Sequence, residues 1–133
     1  MKNRQEELNR QVAEYMGAIY KQKKDPFSDW KFDVMVFPKG VPLHFHFDSG
    51  CEELIVHLQY HKSWDWLIPV WVKACNDAEK LDIAHAGSSA RHNIRSSVKD
   101  FKERFAERVI LNRISSAFDV VLEVIQFIEK HKR

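Results

Sequence analysis

The chain has 133 residues, the length of one domain by the size prior of about 100–200 residues each. Its 44% apolar and 30% charged residues exclude a disordered tail or a collagen-like chain. Its 21 Lys/Arg against 19 Asp/Glu leave a net charge of +2, too near neutral to argue nucleic-acid binding from totals. The expectation is a single domain over 1–133 of the α+β class, with a small antiparallel sheet of three to four strands packed with about four helices.

In chain order, residues 4–22 read as an amphipathic helix, because Leu8, Val12, Tyr15, Met16 and Ile19 fall on one face. Lys21, Lys23 and Lys24 then suit the negative end of its dipole, and Asp25-Pro26 stops it. Residues 30–37 alternate as a strand, with Trp30, Phe32, Val34 and Val36 on one side. Pro38-Lys39-Gly40 is a turn, and the alternation at 43–47 predicts a second strand in a hairpin with the first. Asp48-Ser49-Gly50 turns again, and 53–60 reads as a third strand.

Ser63 or Asp65 caps a helix reaching about Lys80, with Trp64, Leu67, Trp71, Ala74, Cys75, Ala78 and Leu81 as its stripe. Residues 82–96 are the least legible, with a loop at 86–90 and a short strand at Arg91–Arg95. Ser97 and Asp100 form a capping-box pattern for a helix over 98–108, whose buried face is Val98, Phe101, Phe105 and Val109. Ser116 and Asp119 do the same for a last helix over 116–130, striped by Ala117, Val120, Val121, Val124, Ile125 and Ile128.

The segment Tyr60-His61-Lys62-Ser63-Trp64-Asp65-Trp66-Leu67-Ile68-Pro69-Val70-Trp71 resembles small uncharacterised proteins of bacterial and prophage genomes. These carry a Tyr-His-x-Ser-Trp-Asp-Trp-Leu-x-Pro-Val-Val stretch at the head of a helix. The Met16-Gly17 pair and the aromatic-bearing helix at Val120–Lys130 are similar to theirs as well. The resemblance implies a sandwich of helices around a small antiparallel sheet, and it implies no activity. This chain departs from the pattern at 82–113, a family-specific insert.

Motif absences narrow the chemistry. There is no G-x-x-x-x-G-K-[ST], G-x-G-x-x-G, G-x-S-x-G or H-E-x-x-H, and four scattered glycines build no phosphate loop. No cofactor is expected. His44, His46 and Asp48 point to one side of a strand and are the metal candidates, with His57 or His61 as a further ligand. The same alternation also fits the polar face of a half-buried strand.

The two cysteines, Cys51 and Cys75, lie apart with no C-x-x-C, which reads as reduced thiols. A Cys51–His57 or Cys51–His85 dyad is conceivable, but Glu52 and Glu53 oppose a lowered thiol pKa. Cys75 fits as a small hydrophobe on a helix face.

Charge is uneven along the chain. Residues 1–25 hold six Lys/Arg against four Asp/Glu, residues 26–90 five against nine, and residues 91–133 ten against six. Arg91, Arg95, Lys99 and Lys102 are therefore the nucleic-acid candidates, against the plainer reading of a solvated helix face. Trp66 falls off the stripe of its helix and is the candidate interface anchor.

Met1–Glu7 holds no apolar stretch of the kind that heads a secretory signal, and the central apolar run Leu67–Val72 is only six residues. The expectation is a cytoplasmic protein without a membrane partner. Its expected role is a non-enzymatic interaction protein of phage or mobile-element type that binds a protein partner or self-associates. The alternatives are nucleic-acid binding through a basic helix at 91–113, and a metal-dependent enzyme using the strand histidines.

Overall fold

A computed structural model of the chain describes residues 4–38 and 51–132. It holds a three-stranded antiparallel sheet and four α-helices, an α+β fold. The chain divides into two compact units, Met1–Pro69 and Val70–Arg133.

The first unit opens with α1, Arg4–Tyr15. Glu6 and Glu7 stand in its first turn, where the helix dipole favours anions. Arg10 and Glu14 pair one turn apart at 2.9 Å. The helix ends at a Schellman motif. Gly17 takes φ 105°, the Gly17 amide donates to the Glu14 carbonyl, and the Ala18 amide donates to the Ala13 carbonyl, both at 3.0 Å.

This ending corrects the expected helix over 4–22. Ile19 continues the apolar spacing by coincidence, while Gly17 turns the chain and releases β1, Ile19–Lys24. β1 pairs antiparallel with β2, Lys31–Phe37, from Ile19 opposite Val36 to Lys24 opposite Lys31. β2 then pairs with β3, Cys51–Leu54, from Val34 opposite Leu54 to Phe37 opposite Cys51. Lys21, Lys23 and Lys24 thus sit on the edge strand β1, where lysines discourage further strand pairing.

The third strand is shorter than the sequence suggests. At Ile55–His57 it passes into a single 3-10 turn. The expected strand at 43–47 lies outside the described residues.

Val12, Ala13, Met16, Val34, Met35, Phe37, Ile55, Leu58, Tyr60 and Leu67 are buried. The face of β2 also differs from expectation. Met35 and Phe37 are buried together with Val34, whereas Trp30, placed by the alternation on the side of Val34, is exposed. Trp30 precedes β2 and belongs to the turn, so the strand's alternation does not govern it.

The second unit is helical. α2, Trp64–Ala84, starts as expected at Ser63, whose carbonyl accepts from the Leu67 amide at 3.0 Å. The boundary between the units falls inside this helix. α3, Arg91–Ile110, and α4, Ile114–His131, follow.

The expected strand at 91–95 and the caps at Ser97 and Ser116 are corrected here. α3 begins at Arg91, so Ser97 and Asp100 lie within it, and α4 begins two residues before Ser116. A Ser-x-x-Asp pattern inside a helix mimics a cap, but at these positions it stands past the helix start.

Trp71 of α2 stacks on Phe105 of α3 at 4.0 Å and 11°. Phe101 of α3 meets Phe127 of α4 edge-on at 5.5 Å. Ala117, Phe118, Val120, Val121, Val124 and Ile128 bury one stripe of α4. At the far end His85 Nε2 donates to the His131 carbonyl at 3.2 Å. This bond leaves the buried Nδ1 without a partner.

Gly17→Ala forces a Cβ into a backbone conformation that L-residues avoid, at a cost of about 1–2 kcal/mol. A thermal melt will show the variant's midpoint lowered by roughly 3–8 °C. An unchanged midpoint would show that the helix can end elsewhere.

Candidate interaction groove

The turn from β1 to β2 is built by its own polar groups. The Phe27 amide donates to Asp25 Oδ1 at 2.9 Å, the Trp30 amide to Ser28 Oγ at 3.2 Å, and the Asp25 amide to the Trp30 carbonyl at 2.8 Å. These are Asx- and Ser-type turns, for which Asp25-Pro26 and Ser28 are suited. They hold Trp30 at the mouth of a groove between α1, β2 and the segment after β3.

The groove encloses about 490 Å³. That is within the range of about 300–1,000 Å³ usual for binding pockets. Trp30, Phe32, Leu54, Ile55 and Val56 form its apolar wall, and Glu6, Glu7, Arg10, Asp25, Lys31 and Asp33 its charged rim. Trp30 is 73% exposed and Val56 61%, and Phe27 on the same turn is 96% exposed.

The rim is acidic on balance, with four carboxylates against two cations. One of those cations is already engaged. Arg10 lies 3.9 Å from the Tyr20 ring centre, bonds Glu14 and stands 4.0 Å from Glu7. The Glu14 hydrogen bond is the main reason its pKa is raised further. The Tyr20 hydroxyl donates in turn to Asp33, a bond that raises the tyrosine's own pKa.

Below the groove, α1 is tied to the segment after β3 through buried Asn9. Its amide Nδ2 donates to the Leu58 carbonyl at 3.1 Å and to His61 Nδ1 at 3.0 Å. His61 therefore accepts at Nδ1 and is held neutral. Burial, and secondly the charge of Lys62, lower its pKa.

The candidates read from sequence distribute as follows. His44, His46 and Asp48 lie outside the described residues. Among the described residues no group of three His, Cys, Asp or Glu side chains is placed to hold a metal. His57 Nδ1 stands 3.1 Å from Glu53 Oε1, and His61 is the partner of Asn9.

Burial, and then the Glu53 charge, push the Cys51 thiol up, the opposite of what a nucleophile needs. Burial raises Cys75 too.

Trp66 is half-buried, with its ring edge-on to Tyr60 at 5.2 Å, so it packs as well as faces outward. Trp30 is the exposed tryptophan that sequence reasoning did not single out. The signal was partial: Trp30 follows the turn residues Ser28-Asp29 and opens the alternation of 30–37 rather than lying within it.

The basic face of α3 is largely matched by acids. Arg91 and Arg95 both bond Asp82, at 3.3 and 3.0 Å. Lys102 bonds Glu79 at 3.1 Å, and Arg104 bonds Asp100 and Glu123 at 3.0 and 2.7 Å. Burial acts to raise the Asp82 pKa, but bonds from Arg95 and Arg91 outweigh it and hold the carboxyl below its usual range. Lys99 lines the same shallow depression without an ion-pair partner among the described residues.

No helix among the described residues is long and apolar enough to cross a membrane. No protein-family model, curated protein or solved structure matches this chain.

Two outcomes follow from these contacts. His61 has a lowered pKa in the folded chain, so protonation favours the unfolded chain. Its contribution is complete above the unfolded value of about 6.5 and is lost as pH falls below it. His61→Asn keeps an acceptor but does not titrate. Melts from pH 8 down to 5 will show the wild type losing more stability than this variant. Parallel curves would remove His61 from the account.

Asp82→Asn releases Arg91 and Arg95. Retention on heparin should rise, with a log–log salt dependence steeper by roughly one to two. Unchanged retention would mean that the two arginines are held from polyanions by something other than Asp82.

Proposed function

We propose that this chain is a non-enzymatic, cytoplasmic protein-interaction module of phage or mobile-element type that self-associates through the groove of its first unit. The observation that carries the reading is the exposed Trp30 beside an open apolar wall. A large aromatic left in water at the mouth of a concave apolar surface is the usual form of an interface anchor.

The resemblance of Tyr60–Trp71 to small phage-related proteins supports the phage or mobile-element context. The raised Cys51 and Cys75 thiols give no support to nucleophilic chemistry. The acids matched to Arg91, Arg95 and Lys102 lessen the positive field that a nucleic acid would need.

A second copy suits the groove on charge. The rim is net acidic, and the chain's own excess of cations lies at 91–133. Sedimentation velocity over a range of concentrations is the test. The wild type should associate, and Trp30→Asp should weaken association by about 30-fold or more, as expected for an anchor worth roughly 2 kcal/mol. Trp30 is exposed, so the variant should melt as the wild type does. Association unaffected by Trp30→Asp would sink the groove reading.

A further inference from the structure

The turn between α3 and α4 carries a second exposed apolar surface. Val109 is 43% exposed, Ile110 82% and Leu111 49%, three consecutive large side chains in water. Arg108 and Arg113 flank them. A run of this kind at the end of a helix is unusual for a surface that meets only solvent.

The turn is rigid by construction. Asn112 takes φ 53°, the Asn112 amide donates to the Val109 carbonyl at 3.0 Å, and the Arg113 amide donates to the Arg108 carbonyl at 2.8 Å. This is a Schellman ending with asparagine in the left-handed position, which asparagine tolerates better than most residues. A tip fixed before binding loses little conformational entropy on docking.

We infer that the tip Arg108–Arg113 of one copy is the segment that enters the groove of another. This rests on the proposed role of the groove. The match is chemical on both counts. An apolar knob of three residues meets the wall of Trp30, Leu54, Ile55 and Val56. The two arginines meet a rim where Glu6, Glu7, Asp25 and Asp33 outnumber the cations. Arg108 is only loosely engaged within its own chain, 3.4 Å from the adjacent Glu107.

A groove and a tip on each copy pair either reciprocally in a two-fold dimer or head to tail in a ring or an open chain.

Complementation between two variants tests the inference by sedimentation velocity. Trp30→Asp disables the groove and keeps the tip. Ile110→Asp disables the tip and keeps the groove. Both side chains are exposed, so both variants should melt as the wild type does.

Each variant alone should be monomeric, weakened about 30-fold or more relative to the wild type. An equimolar mixture should form a complex of two chains and grow no further, because only one groove and one tip remain competent. Added salt should weaken it, since the rim contact is between charges at the surface.

If Ile110→Asp associates as the wild type does while Trp30→Asp does not, the groove stands and the tip is not its occupant. If the mixture stays monomeric while the wild type associates, the contact is not groove to tip. A wild type that remains monomeric at concentrations on the order of 100 µM, an affinity too weak to matter, overturns the inference together with the reading beneath it.

Discussion

Left-handed backbone at a few positions decides where the helices of this protein stop, and most of its surface chemistry follows from those stops. Gly17 and Asn112 each end a helix through the same pair of amide bonds, and Gly87, at φ 82°, follows the end of α2. The penalty for left-handed backbone falls on any side chain with a Cβ, so glycine and asparagine are where a helix can turn without strain. At Gly17 the reversal sends the chain into β1 and places Tyr20 under Arg10, which fixes one lip of the groove. At Asn112 the reversal leaves Val109, Ile110 and Leu111 beyond the reach of the helix packing. An apolar wall and an apolar tip are thus both consequences of where helices are forced to end.

Charge in the second unit is governed by packing rather than by totals. The sequence between 91 and 113 reads as a block of cations because the acids that answer it are far away in the chain. Asp82 is 13 residues from Arg95, and Lys102 lies 23 residues from Glu79. Trp71 of α2 stacks on Phe105 of α3, and the same two helices bring these charges together. Exposed pairs of this kind add little stability, typically about 0–1 kcal/mol each. Their effect is on the field: a cation with an acid 3 Å away attracts a phosphate far less than a free one. Of the cations between 91 and 113, Lys99 and Arg113 remain without an acid partner among the described residues.

The legible part of the fold was the part with strong periodicity. Val12 in α1 and Met16 just after it, Leu67, Ala74, Ala78 and Leu81 in α2, and Ala117, Val120, Val121, Val124 and Ile128 in α4 are buried as their spacing implies, while Ile125 is half-buried. Misreadings arose where one residue satisfied two patterns. Ile19 extended the α1 spacing although it starts a strand, and Ser97 and Ser116 imitated caps on faces that need none. Gly17 would have settled the first, since a glycine after the last periodic residue is a stop signal in its own right.

The candidate site was less legible than the fold, because it depends on exposure rather than on periodicity. The identity of Trp30 says that it is large and apolar, which argues for burial. Only the turn geometry, set by Asp25 and Ser28, places it in water. The metal candidates at 44–48 fall outside the described residues, so the alternation that suggested them stands without a structural counterpart.

Association between copies would convert these exposed groups into buried ones. Burying apolar side chains yields roughly 25 cal/mol per Å² removed from water, before the entropy of association is charged against it. A knob of three aliphatic residues is a small contact on that scale, so the proposed complex should be weak unless its charges add specificity. The arrangement of charge favours that outcome. Among the acids of the rim Glu7 stands 4.0 Å from Arg10, while Asp33 takes the Tyr20 hydroxyl and Asp25 the Phe27 amide. Hydrogen bonds to neutral groups leave a carboxylate's full charge in place, so the rim keeps its negative field while the acids of α2 lose theirs to arginine. Two surfaces of one chain, one apolar and negative, the other apolar and positive, are each left only partly compensated by the fold that formed them. Electrostatic matching of that kind sets the register and rate of encounter more than its strength, and a chain that carries both surfaces is its own nearest complement.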